Sequence, residues 1–98
     1  MKMKEKWIPI SENLPEVAFK FKDFDDEDGF FEEYESDYYL VTLENDICFS
    51  VSIANYCVWK SENGKIETGW TDAIYGERLN KKDKVVAWMP LPEPYKGE

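Results

Sequence analysis

The sequence predicts a mainly β fold, a small antiparallel sheet or partly closed barrel of four to five strands with room for one short helical turn. Three observations carry that expectation. Ile47 to Trp59 alternates with a period of two, placing Ile47, Phe49, Val51 and Ile53 on one side and Ser50 and Ser52 on the other. Tyr38 to Leu43 and Val85 to Met89 are short runs rich in aromatic and β-branched residues. Between such runs lie the turn formers Glu44-Asn45-Asp46 and Ser61-Glu62-Asn63-Gly64, at hairpin spacing.

From the start of the chain, Trp7 to Leu14 reads as a brief extended piece ending in the polar turn Ser11-Glu12-Asn13. Ile8 and Leu14 each precede a proline and are pushed out of the α region. Val17, Phe19 and Phe21 alternate with Ala18, Lys20 and Lys22, a short strand. Asp23 to Asp37 changes character, since most of its positions are Asp or Glu. Crowded like charges resist compaction, so the stretch is expected to be a surface loop held only by its aromatics. Tyr38 to Leu43 and Ile47 to Trp59 are the central strands, and Ile66 to Ile74 returns as another, weakened at its ends by Gly69 and Gly76. Tyr75 to Lys84 is polar and lysine-rich, a loop or one helical turn, which keeps an α+β alternative open. Val85 to Met89 is the last strand, followed by Pro-rich residues 90 to 98.

Ninety-eight residues support one core, so residues 1–98 are read as a single domain. Four Trp, six Tyr and six Phe supply large buried areas from few positions. Twelve basic residues against 21 acidic ones give a net charge of −9, a field that repels phosphate backbones and anionic membranes and attracts a protein partner with a basic surface. No apolar stretch approaches 20 residues and no secretory signal precedes the first strand, so the expected location is the cytoplasm of a bacterial cell, with Cys48 and Cys57 as free thiols.

The two ends are more specific than their periodicities. Trp7-Ile8-Pro9-Ile10-Ser11-Glu12-Asn13-Leu14-Pro15 and Trp88-Met89-Pro90-Leu91-Pro92-Glu93-Pro94 occur together, covering about a sixth of the chain. The pair resembles a family of small phage and prophage proteins catalogued as a domain of unknown function, with a Trp-Ile opening, Leu-Pro shortly after, and a Trp-Met-Pro-Leu-Pro ending. The family often has threonine and histidine before its last Trp, where this chain has Val86 and Ala87, and the acidic stretch here is longer than the usual linker. The resemblance implies a phage or mobile-element origin and a compact domain, and brings no activity, cofactor or catalytic residue. Trp7, Pro9, Leu14, Pro15, Trp88, Pro90 and Pro92 are read as structural, the tryptophans covering a sheet edge or an open end of the core.

Chemistry-bearing constellations are sparse. With no His, a Ser or Cys nucleophile lacks its usual base, and no phosphate loop or dinucleotide fingerprint is present, so neither an enzyme nor a cofactor is expected. A calcium loop with Gly29 in the sixth position would place Asp26 third, Asp28 fifth and Glu35 twelfth, but its first position is Phe24 rather than a carboxylate. Asp25, Asp26, Asp28, Glu32, Glu33 and Glu35 are therefore candidates to contact a partner. The leading expectation is a non-catalytic interaction domain of a phage or prophage, with nucleic-acid mimicry as its sharper form. A domain that binds calcium through the acidic loop is the alternative.

Overall fold

Tyr38 to Leu43 does form extended backbone, but as the second half of a strand far longer than its own composition marks out. The computed structural model describes residues 6–25, 29–79 and 83–92. Among these lie six strands: β1 Ile8–Pro9, β2 Ala18–Asp25, β3 Gly29–Glu44, β4 Phe49–Ser61, β5 Ile66–Asp72 and β6 Lys84–Pro90. They make one antiparallel sheet in the order β1-β6-β3-β4-β5, with β2 also on β3. The sheet does not close into a barrel, and no helix occurs among the described residues, so the α+β alternative is not realised. The fold class is the expected one; the strand count is six because the opening Ile8–Pro9 joins the sheet as well.

The 16 residues of β3 organise everything else. One edge pairs with β4 along almost its full length; the other is shared, by β2 opposite Gly29 to Glu35 and by β6 opposite Tyr39 to Glu44. The change of partner falls at a bulge between Glu35 and Tyr38. There the buried Ser36 hydroxyl donates to the Asp37 carbonyl at 2.7 Å and accepts the Tyr56 amide at 2.8 Å, so the irregular backbone keeps its partners.

The acidic stretch 23–37 is thus corrected from loop to hairpin: its first residues complete β2 and its last nine described residues belong to β3. The carboxylates are tolerated because β3 divides them between the two faces: Lys20 of β2 pairs with Glu33 and Glu35 on one, and on the other Glu32 has lysines as register partners. Glu32 lies opposite Lys22 on one side and Lys60 on the other, a Lys-Glu-Lys row across three strands. The two ammoniums rest over aromatic rings, Lys22 Nζ 3.8 Å from the Phe30 centroid and Lys60 Nζ 5.0 Å from that of Tyr34, so they offset the Glu32 charge without a close ion pair.

Register assigns the two faces of the other half. On the inner face the rows are Ile8-Trp88-Val41-Ser52, Pro90-Tyr39-Ala54-Asp72 and Val85-Leu43-Ser50. Val41, Leu43, Ala54, Val85 and Trp88 form the buried core, with Ile8, Tyr39, Trp70 and Leu79 against it. The N-terminal segment closes this face: the Trp88 indole Nε1–H donates to the Asn13 carbonyl at 3.0 Å, and the Ile10 amide to the Val86 carbonyl at 3.1 Å. The two end motifs are therefore neighbours, with Ile8 opposite Trp88 and Pro9 opposite Ala87. Their residues do not all share one role. Trp88 and Pro15 are buried and Trp7 is half-buried, while Pro9, Leu14, Pro90 and Pro92 are exposed. Pro90 ends β6, where its missing N–H costs no further ladder bond.

On the outer face the rows are Met89-Leu40-Ile53, Ala87-Thr42-Val51 and Lys84-Glu44-Phe49. The more apolar side of β4 is thus the one turned away from the core. Between β3 and β4, Asn45 makes the turn with its side chain, accepting the amides of Ile47 and Cys48 at 2.8 and 3.0 Å. The strand expected over Ile66 to Ile74 ends at Asp72, and residues 73–76 form a tight turn in which the Gly76 amide donates to the Asp72 carbonyl at 2.9 Å.

Candidate functional site

Beyond the bulge, the outer face becomes polar. Odd-numbered residues of β4 continue along it as Asn55, Cys57 and Trp59, with Glu35 opposite Cys57 and Glu33 opposite Trp59. A second irregularity, between Phe19 and Phe21, brings Lys20 to the same side, its Nζ 3.3 Å from Glu33 and 3.2 Å from Glu35. From the other flank Arg78, bridged to Thr71 outside the named strands, lays its guanidinium 4.3 Å from the centre of the Trp59 ring and donates to the Thr68 carbonyl at 3.3 Å. Gly69 permits this approach, since a Cβ there would stand 3.0 Å from Arg78 Nη2. Together these side chains line a cavity of about 320 Å³.

The cavity is bound to itself. Trp59 Nε1–H donates to Glu33 at 2.8 Å and Asn55 Nδ2 donates to Glu35 at 3.0 Å. Cys57 Sγ lies 3.6 Å from the Thr71 hydroxyl and donates to Asn55 Oδ1 at 3.8 Å. Two cations, Lys20 and Arg78, balance two carboxylates. The hydrogen bond it donates to Glu35 holds the Lys20 ammonium above its usual pKa, against an opposing desolvation, with Glu33 adding to the rise. Burial pushes the Cys57 thiol up, partly offset by Thr71. At neutral pH the amine is charged and the thiol protonated, so neither is poised as a nucleophile.

Glu33, Glu35 and Cys57 present ligand atoms within 4.8 Å of one another. The Lys20 ammonium stands against both carboxylates of that trio, where a metal ion would have to displace it. The calcium-loop spacing also fails on geometry: Gly29 to Glu35 is extended, so the twelfth position lies about 20 Å from the sixth instead of folding back over it.

Of the residues singled out in the sequence, Glu33 and Glu35 enter this site, while Glu32 faces the opposite way, its carboxylate accepting the Tyr34 hydroxyl at 3.1 Å. Asp25 closes β2, and Asp26 and Asp28 lie outside the described residues. Sequence reasoning missed Lys20, Asn55, Trp59, Thr71 and Arg78. The signal for Asn55 and Trp59 was present in the alternation of β4; nothing local marked Arg78. Cys48 and Cys57 are free, the first exposed in the turn and the second buried in the sheet. No family model, curated protein or solved structure matches this chain.

Proposed function

We propose that the chain is an accessory protein of a phage or prophage, working in the bacterial cytoplasm as a non-catalytic domain that binds a protein with a basic surface through its β2–β3 hairpin. One observation carries the reading. Residues 18–37 hold two lysines against nine carboxylates, a net charge of −7 out of the chain's −9. The described residues of that stretch contribute nothing to the buried core cluster, and among them Phe19 and Phe24 keep 57% and 69% of their surface in water. Exposed aromatics within a field of one sign combine contact area with electrostatic steering. The phage context is supported by the two end motifs, which meet across β1 and β6.

The carboxylates of β3 are divided between the faces, Glu32 on one and Glu33 and Glu35 on the other, where Lys20 holds them. General attraction of a basic surface fits this arrangement better than a single phosphate-like row. The test is affinity capture from a bacterial lysate at low and moderate salt. The comparison variant carries Asp25→Asn, Asp26→Asn, Asp28→Asn and Glu32→Gln, leaving the Lys20 pairs intact. A basic protein released by salt and lost with the variant is the expected outcome; equal capture by both chains refutes the reading.

A further inference from the structure

Strands buried on both faces read as continuous apolar runs, whereas a half-exposed strand alternates. Val85-Val86-Ala87-Trp88-Met89 and Tyr38 to Leu43 are of the first kind, yet the chain covers only their inner face. On the outer face Tyr38, Phe49 and Val51 are 50%, 66% and 61% exposed. The Cα radius of gyration, 15.8 Å, exceeds the roughly 13 Å of a compact domain of this length, as expected for a sheet lacking its second layer.

We propose that the outer face around Leu40, Phe49, Val51, Ile53 and Met89 is closed by the same face of a second copy of this chain, giving a two-sheet sandwich. Three features select a second copy over a foreign partner. The patch has no net charge to be recognised, because the Glu44 and Lys84 at its rim are of opposite sign and face each other in the register. Its two sides are complementary: bulky Phe49, Val51 and Ile53 on β4 flank the central β3 on one side, and Ala87 and Met89 on β6 on the other. A two-fold axis running along β3 between the sheets therefore sets Val51 of each copy over Ala87 of its mate, the smallest residue of the facing row. The area also suffices. The face offers on the order of 500 Å² per copy, so about 1,000 Å² in the pair, the size at which specific interfaces begin.

The sandwich does not depend on the hairpin reading above, and its test leaves the hairpin untouched. Sedimentation equilibrium at tens of micromolar should give twice the 11.6 kDa chain mass, with dimerisation strengthened by added salt because each copy carries −9. Val51→Lys, at a position already open to water, should convert the protein to monomer while its far-UV circular dichroism stays that of a sheet. The variant Phe24→Ser, on the hairpin arm, should remain dimeric. A wild-type monomer at these concentrations overturns the proposal, and so does a Val51→Lys protein that still dimerises.

Discussion

Replacing Trp88 probes the joint where the two ends of the chain meet. The side chain is 8% exposed, lies between Val41 and Ile8 in its row, and sets its ring edge-on to Tyr39 with centroids 4.7 Å apart. Its Nε1–H holds the Asn13 carbonyl at 3.0 Å. Trp88→Ala removes both the buried surface and the bond, and should destabilise by about 3–5 kcal/mol. Trp88→Phe keeps most of the ring contact and forfeits the hydrogen bond, whose carbonyl belongs to an exposed residue and rehydrates; the loss should be about 1–2 kcal/mol. Against a total of about 5–15 kcal/mol the first change is severe and the second modest. Urea unfolding followed by circular dichroism at one fixed protein concentration measures both, with exposed Phe24→Ala as a control expected to shift by no more than about 0.5 kcal/mol. A loss below about 1 kcal/mol for Trp88→Ala would refute the core assignment, since surface positions behave that way.

Three further outcomes follow from the structure. Lys20, Tyr34, Tyr39 and Cys57 all have pKa values raised in the folded chain, the first through its bond to Glu35, Tyr34 through its bond to Glu32, the last two through burial. A raised group binds more protons folded than unfolded, so its contribution is present below the unfolded pKa and lost as pH rises through the folded one; the melting temperature should fall progressively above about pH 9, and a midpoint flat to pH 11 contradicts this. Lys20→Met leaves Glu33 and Glu35 facing each other without their cation; because Lys20 is 44% exposed the cost should not exceed about 1 kcal/mol, but the variant should gain thermal stability from millimolar divalent cation where the native chain does not. Thiol titration with an aromatic disulfide should modify Cys48 at least about ten-fold faster than Cys57, and equal rates would place Cys57 outside the sheet.

The β class and the central strands were legible because Tyr38 to Leu43, Ile47 to Trp59 and Val85 to Met89 each carry their signal within a short window. The neighbourhood of the end motifs was anticipated only in that Trp88 covers the core; its partner strand, Ile8–Pro9, is two residues long and stands on tertiary contacts that no local pattern encodes. Asp23 to Asp37 misled for an electrostatic reason. Read along the chain its charges repel, but across the sheet Glu32 stands between Lys22 and Lys60, and Glu33 and Glu35 share Lys20. Compensation between strands is invisible to a window that sees one strand at a time. The polar cavity was hidden likewise, since Lys20, Cys57 and Arg78 lie far apart in sequence and share the cavity only because β2, β4 and the segment after β5 share one face.

The unclosed outer face is the feature from which the assembly follows, and isotope-filtered nuclear Overhauser spectroscopy on a mixture of labelled and unlabelled protein tests it most directly. Cross-peaks should link the Val51 methyls of a labelled copy to Ala87 and Met89 protons of an unlabelled one. Filtered spectra without such cross-peaks, with the Val51 methyls responding to a solvent relaxation agent, would show that face to be bare in solution and contradict the account.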